Sequence, residues 1–471
     1  MTADPALSDL TSVAEAIADR RLTSVRATEA CLERIETWQP RTNAFLRIEA
    51  ESALARARAM DAELAADRRR GPLHGVPLAH KDLYYRAGEL STAGSAIRRD
   101  WRAPSTATVL QRLDAAGTVE LGFLNMAEFA AGPTGHNVHH GHCRNPWDTQ
   151  RVTGGSSSGS GAAVAARLAF GSLGSDTGGS IRLPASACGV VGMKATYGRV
   201  SRAGVAARSW TLDHVGPLTR TVRDNARFLA AIAGVDARDA TCSTAPVPDY
   251  EAALVEGASG LRVGLALPDA LVPVDPRIGA AVEEAASVLS RAGVRISAAT
   301  IPDFTELYRA AETIVKCEAA SMHRPWMESQ PDRYANQVRT RTEAGFFIPA
   351  TQYIDALRLR AHFLREFLAT AMPELDAVLL PAIPFPVPTI DETDVEKSGG
   401  PATLAMVARF TGLTRPFNTL GLPVLSVPCG FDDNGLPIGL QLVGRPFDET
   451  TLYRLGHAYQ SATDHHLKAP A

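Results

Sequence analysis

At 471 residues the chain is too long for one simple core and short for three ordinary domains, so one large domain, or one domain with an insertion, is expected. Its 45% hydrophobic and 21% charged residues are those of a globular protein. A net charge of −3 gives no general attraction to nucleic acid or an anionic membrane and points to a small partner that is not a polyanion.

The six cysteines are scattered and none forms a C-x-x-C pair, which suits free thiols in a reducing compartment. The opening MTADPALSDLTSVAEAIADRR has early acids and no long apolar run, unlike a secretory signal. No stretch reaches the roughly 18 apolar residues of a spanning helix. A cytoplasmic protein away from the membrane is the expectation.

In chain order, residues 1–70 read as helical, with a second helix starting at Thr23 or Ser24. An alanine-rich amphipathic helix over 51–70 is closed by Gly71 and Pro72. The apolar run in GVPLAHKD reads as a buried strand reaching Lys81. STATVLQRLDAAG and TVELGFLN read as helix then strand, and GAAVAARLAFG and SLGSDT repeat that order. TVRDNARFLAAIAG is a helix opening on a capping box of Thr221 and Asp224. LRVGLAL and VRISAATI are strands around a helix over 276–292, and residues 303–373 are helical without clear strands. DAVLLPAIPFPVP, GLPVLSVPCGF and PIGLQLVG are strands before a closing helix, DETTLYRLGHAYQSAT. The alternation predicts an α/β fold with a central mixed sheet of about ten or eleven strands covered by helices. With no low-complexity linker the chain reads as one domain: a helical segment 1–70, a core over 71–235 and a helical insertion about 303–373.

Two glycine–serine stretches raise the question of chemistry. TGGSSSGSGAA precedes an apolar helix, where backbone N–H groups attract anions, but the Lys-Ser/Thr of a phosphate-binding loop is absent. Thr177-Gly178-Gly179-Ser180 follows the strand SLGSD. It reads either as a tight turn or as a nest of N–H groups holding a nucleophilic serine. Ser156-Ser157-Ser158 lies one helix upstream, and Lys81 ends a buried strand, where lost hydration lowers a lysine pKa. No histidine sits in a G-x-S-x-G pattern, so lysine is the base on offer.

TGGSSSGSGAAVAARLAFGSLGSDTGGSIRLPASACGVVGMKATYGRVSRAGV resembles the signature region of the amidase signature hydrolases. The resemblance continues through LDHVGPLTRTVRDNARFLAAIAG, upstream to PLHGVPLAHKDLYYRAGELSTAGS and LNMAEFAAG, and downstream to RPFNTLGLPVLSVPCGF and GLPIGLQLVGRPF. It is weakest over 303–373. It implies a Ser–Ser–Lys triad: Ser180 as nucleophile, Ser156 as bridging serine after a cis peptide bond from Gly155, and Lys81 as base. The implied oxyanion hole is the N–H groups of Thr177, Gly178, Gly179 and Ser180. One departure is Ser158, which stands where the family has glycine.

The resulting expectation is an amidase for a small carboxamide, free of metal and cofactor, with homodimerisation a default. Two alternatives stay open: the glutamine-hydrolysing subunit of a tRNA-dependent amidotransferase, the one setting in which nucleic acid enters, and a hydrolase of a biuret- or urea-like amide. A catalytically dead scaffold is disfavoured by the three matching triad positions. Phe129, Ala130, Gly132 and Thr134 are candidate pocket residues, with Ser157 and Arg182 as further substrate contacts. Asp176 and Arg182 are read mainly as structural. The loop holding His136, His139, His140, His142 and Cys143 crowds metal-type ligands into one segment, unlike the spaced pairs of a structural zinc site, and is placed beside the pocket.

Overall fold

Short runs of apolar residues bounded by glycine or proline become the strands of one sheet in the computed structural model, which describes residues 4–268, 272–397 and 399–471. The strands are Phe45–Ile48 (β1), Pro77–Lys81 (β2), Val119–Leu124 (β3), Gly171–Asp176 (β4), Val191–Lys194 (β5) and His214–Thr219 (β6). Arg262–Leu265 (β7), Arg295–Ala298 (β8), Ala377–Pro381 (β9), Val424–Phe431 (β10) and Pro437–Gly444 (β11) complete it. They form one 11-stranded sheet in the order β1-β3-β2-β4-β6-β5-β10-β11-β9-β7-β8. β2 runs parallel to both β3 and β4, and β7 parallel to β8 and β9, while the remaining pairings are antiparallel. The mixed α/β sheet of the sequence reading is the fold observed. β1, inside a segment read as wholly helical, pairs with β3 at the sheet edge.

Successive side chains of a strand face opposite sides of a sheet, and this alternation divides the core into two layers. On β9, Ala377 and Leu379 join one apolar cluster and Val378 and Leu380 the other. The first cluster is covered by the helices Ser24–Thr42, Val222–Ile232, Pro276–Arg291 and Glu449–Ser461, among others. The second lies under the helices Thr305–Ser329 and Ala350–Thr370, which place Leu307, Ile314, Phe363 and Phe367 against β9 and β10.

Local signals set several helix ends. Thr23 caps Ser24–Thr42 by accepting from the Arg26 N–H. The alanine-rich helix spans Ala50–Ala65 and stops before the basic tail of its predicted range. The capping box is present: Thr221 Oγ1 accepts from Asp224 N at 3.0 Å and Asp224 Oδ2 accepts from Thr221 N at 3.3 Å. Asp224 Oδ1 also accepts from Thr11 N at 2.8 Å, tying the helix Leu10–Ala18 to this one. Replacing Thr221 with alanine should lower unfolding free energy by about 1 kcal/mol. Asp224→Ala should cost more, because Thr11 also loses its acceptor. Urea midpoints of the two variants against wild type check both, and equal midpoints for all three would refute the cap.

Candidate active site

β2 ends at Lys81 and β4 at Asp176, with β3 on the far side of β2. The chain therefore reverses its direction of sheet growth between β2 and β4, and in an open α/β sheet ligands bind at the carboxyl ends of strands flanking such a point. Lys81 is fully buried there. Its Nζ lies 2.7 Å from Ser156 Oγ, 3.0 Å from Ser157 Oγ and 2.9 Å from Ser175 Oγ. No carboxylate among the described residues forms an ion pair with it. Burial pulls its pKa from the usual 10.5 down to about 7, opposed by the more distant charges of Asp213 and Asp176. A neutral amine has two protons and one lone pair, so it donates to two of these hydroxyls and accepts from the third.

Ser156 is aimed by a tightly packed loop. The Gly155–Ser156 peptide bond is cis. Gly155 N donates to the Pro133 carbonyl at 2.6 Å, and a Cβ on Gly155 would fall 2.5 Å from Gly135 N and 2.6 Å from the Gly132 carbonyl. Only glycine fits that approach. Ser158, the departure noted above, starts the helix Ser158–Ala165 and donates its hydroxyl to the Asn125 carbonyl at 3.2 Å. Ser157, expected among substrate contacts, bonds Lys81 and donates to the Ser175 carbonyl at 3.2 Å.

The 177–180 loop is held by a buried ion pair. The carboxylate of Asp176 accepts from Arg182 Nε and Nη2, both at 3.0 Å, and from Ile181 N at 3.1 Å. Arg182 also donates to the Thr414 carbonyl at 2.8 Å, Asn418 Oδ1 at 2.6 Å and Gln441 Oε1 at 3.2 Å. With both partners fully buried and these donors engaged, Arg182 is a strut of the loop and does not line the cavity, contrary to its expected substrate contact. Gly179 has φ +132° and a Cβ there would meet Thr414 Oγ1 at 2.4 Å. Its N–H donates to Asp176 Oδ1 at 2.6 Å, so the four-donor nest expected from sequence is one donor short. The N–H groups of Thr177, Gly178 and Ser180 have no hydrogen-bond partner among the described residues, nor does the Ser180 hydroxyl. No hydrogen bond joins Ser180 to Ser156.

Thr177, Gly178 and Ser180 form the floor of a cavity of about 310 Å³. Ala130 and Gly132 line it as expected. Phe129 lies behind the wall, stacked on Trp326 at 5.5 Å with its ring 4.5 Å from that of His323. Thr134 turns away to His136 Nδ1 at 2.8 Å. Charged lining residues that escaped the sequence reading are Arg208, Arg415, Arg341 on the helix Asn336–Glu343, and Glu312 and Lys316 on the helix Thr305–Ser329. Arg208, Lys316 and Arg341 lie outside every motif read from the sequence, and Arg415, inside RPFNTLGLPVLSVPCGF, carries no signal of its own there.

The histidine loop packs against the wall from outside. His139 Nε2 is 2.9 Å from Glu128 Oε1. His136, His142 and Asp394 bring ligand-type atoms within 4.8 Å of one another. Both His136 nitrogens are engaged, with Thr134 and the Ile390 carbonyl, and His142 Nδ1 accepts from Asn137 N, an arrangement unsuited to a metal. No described helix is long and apolar enough to cross a membrane.

Comparison with known proteins identifies the family. The family model described as Amidase matches residues 26–453. A glutamyl-tRNA(Gln) amidotransferase subunit of Chloroflexus aggregans is 41% identical over 480 residues, covering 97% of this chain and 96% of the other. A solved structure from a vestigial complex bearing on the origins of an s-triazine catabolic enzyme superposes with TM-score 0.89 at 36% identity, covering 96% and 98%. Native peptide amidase from Stenotrophomonas maltophilia does so with TM-score 0.82 at 30% identity, covering 98% of each. By fold and by sequence over nearly its whole length, the chain belongs to the amidase signature family of hydrolases acting on amide C–N bonds.

Proposed function

We propose that the chain hydrolyses a carboxamide through an acyl-enzyme on Ser180, with Ser156 relaying a proton to Lys81. The observation that carries this reading is the buried Lys81 amine, bonded to three serine hydroxyls and to no acid, at the carboxyl end of β2. Ser180 Oγ attacks the amide carbon as its proton passes to Ser156 and that of Ser156 to Nζ of Lys81. The N–H groups of Thr177, Gly178 and Ser180 face the charge that develops on the carbonyl oxygen. The proton returns to the leaving nitrogen, the C–N bond breaks, and water attacks the ester by the same route to free the acid. The Ser180–Ser156 hydrogen bond closes on substrate binding, as such contacts do.

The setting of the reaction has two readings. Full-length likeness to the glutamyl-tRNA(Gln) amidotransferase subunits supports glutamine as the amide, with partner proteins accepting its ammonia. A free-standing amidase is supported by the likeness to peptide amidase and 6-aminohexanoate cyclic dimer hydrolase. The sequence comparison favours the first. Ammonia release from small amides by the purified chain alone supports the second, and strict dependence on partner proteins and tRNA supports the first.

Two outcomes are expected. Ser180→Ala should lose about 10³-fold or more in kcat/KM, and a fluorophosphonate should add to wild type but not to this variant by intact mass. A near-normal rate or label would remove Ser180 from the chemistry. The second concerns pH. Lys81 accepts a proton only when neutral, so kcat/KM should fall as pH drops through about 7, tenfold per unit well below it. A rate flat between roughly pH 5.5 and 8.5 would exclude an amine with that pKa as the base.

A further inference from the structure

We propose that the substrate is an amide carrying a carboxylate and no ammonium group, the carboxylate being received by the guanidinium of Arg208. This rests on the reading of the Ser180 cavity as an amide-hydrolysing site and names the class of amide it takes.

Arg208 is 6% exposed and lines the cavity whose floor holds Ser180. Its backbone N–H donates to Asp213 Oδ2 at 2.7 Å, which pins the main chain and presents the side chain. The guanidinium makes no hydrogen bond or ion pair with any described residue, and its Nη1 is buried without a partner. A buried guanidinium is costly unless an anion pairs with it, and a planar fork of donors matches a carboxylate. Burial, together with the nearby charge of Arg341, pushes its pKa down to about 10, so it remains charged at neutral pH.

Arg341 reaches the same cavity from another helix. It donates to the Ala131 carbonyl at 3.2 Å and pairs with no carboxylate among the described residues. Two cations without an ion-pair partner among the described residues thus line the cavity above the serine. The acids run the other way. Among the described lining residues Glu312 is the single carboxylate, and it is held by Arg415 and by Lys316 Nζ at 3.0 Å. Asp213, beneath the floor, is engaged by the Thr177 hydroxyl at 2.5 Å and by two N–H groups. Among the described lining residues no carboxylate is without a cation already bound to it, so a zwitterion such as glutamine would place its ammonium group beside Arg208 and Arg341. The charges of the cavity therefore favour an acid amide without an ammonium group over glutamine as the amide.

The test compares ammonia release by the purified chain from glutaramate, glutamine (the same skeleton with an ammonium group) and pentanamide (the same skeleton without the carboxylate). Glutaramate should exceed each of the others about tenfold or more in kcat/KM. Arg208→Met should shrink the glutaramate-to-pentanamide ratio about tenfold, mainly through KM, and Arg208→Lys should keep part of it. A ratio cancels any loss of folded enzyme. Hydrolysis without preference for glutaramate, or a preference unchanged in Arg208→Met, overturns the inference and leaves the hydrolase reading standing. If the purified chain cleaves no amide, as the partner-dependent setting would have it, calorimetric titration of glutarate still decides the anion site. Its Kd should rise about tenfold in Arg208→Met, and an unchanged or absent wild-type affinity refutes the site.

Discussion

The amine of Lys81, buried at the end of β2 with three hydroxyls around it and no acid in contact, constrains every neighbouring segment. A buried ammonium is expensive to leave unpaired, so the environment favours the neutral form, which hydroxyls satisfy without a counter-charge. Those hydroxyls come from two places, Ser156 and Ser157 from the loop before the helix Ser158–Ala165, and Ser175 from β4. The parallel register of β2 and β4, with His80 opposite Leu173, sets the lysine level with the last residues of its neighbour. A shift of one residue would turn the amine to the other face of the sheet. Tyr84 holds the same level by donating to the Gly174 carbonyl at 2.5 Å.

A second buried pair acts on geometry where the first acts on chemistry. Asp176 and Arg182 neutralise each other at full burial, and their remaining donors and acceptors are satisfied by Gly179, Ile181, Thr414, Asn418 and Gln441. Such a pair adds little stability over well-packed apolar residues, whereas breaking it strands a charge. What the pair contributes is direction. It joins the 177–180 loop to β11 and to the helix Arg415–Thr419, and Thr414 completes the clamp by donating to the Gly178 carbonyl at 2.7 Å. The turn reading and the nest reading of the glycine stretch are therefore not rivals: the turn is tight because the carboxylate of Asp176 folds it.

What the sequence made legible is what local chemistry determines. The apolar run into Lys81, the Thr221–Asp224 cap and the strand–glycine–serine order are written in adjacent residues, and the resemblance linked them across the chain. The short edge strand β1 was hidden between two helical patterns, since four residues give no periodicity to read. The resemblance implied Gly179 as an oxyanion donor, and nothing in adjacent residues shows that the carboxylate of Asp176 captures its N–H. The pocket walls were illegible for a different reason. Arg208, Glu312, Arg341 and Arg415 meet only because the helices over 305–343 fold back across the carboxyl ends of the strands. That is the region where the resemblance is weakest.

The cavity floor, its wall and the buried base are coupled through one buried acid. Asp213 accepts from the Thr177 hydroxyl on the cavity floor and from the backbone N–H of Arg208 on its wall, while its charge opposes the desolvation of Lys81. Burial lowers the pKa of the amine and the charges of Asp213 and Asp176 oppose that fall, whereas an acid in contact would make it a locked ammonium. An acid at longer range leaves the pKa near neutrality, where a base is both free and strong enough to work. The oxygens of Asp213 are tied to the floor by Thr177 and to the backbone of Arg208 and Ser209, which fixes its place. In the proposed scheme the residue that presents the substrate-binding cation is thus the same one that keeps the base poised.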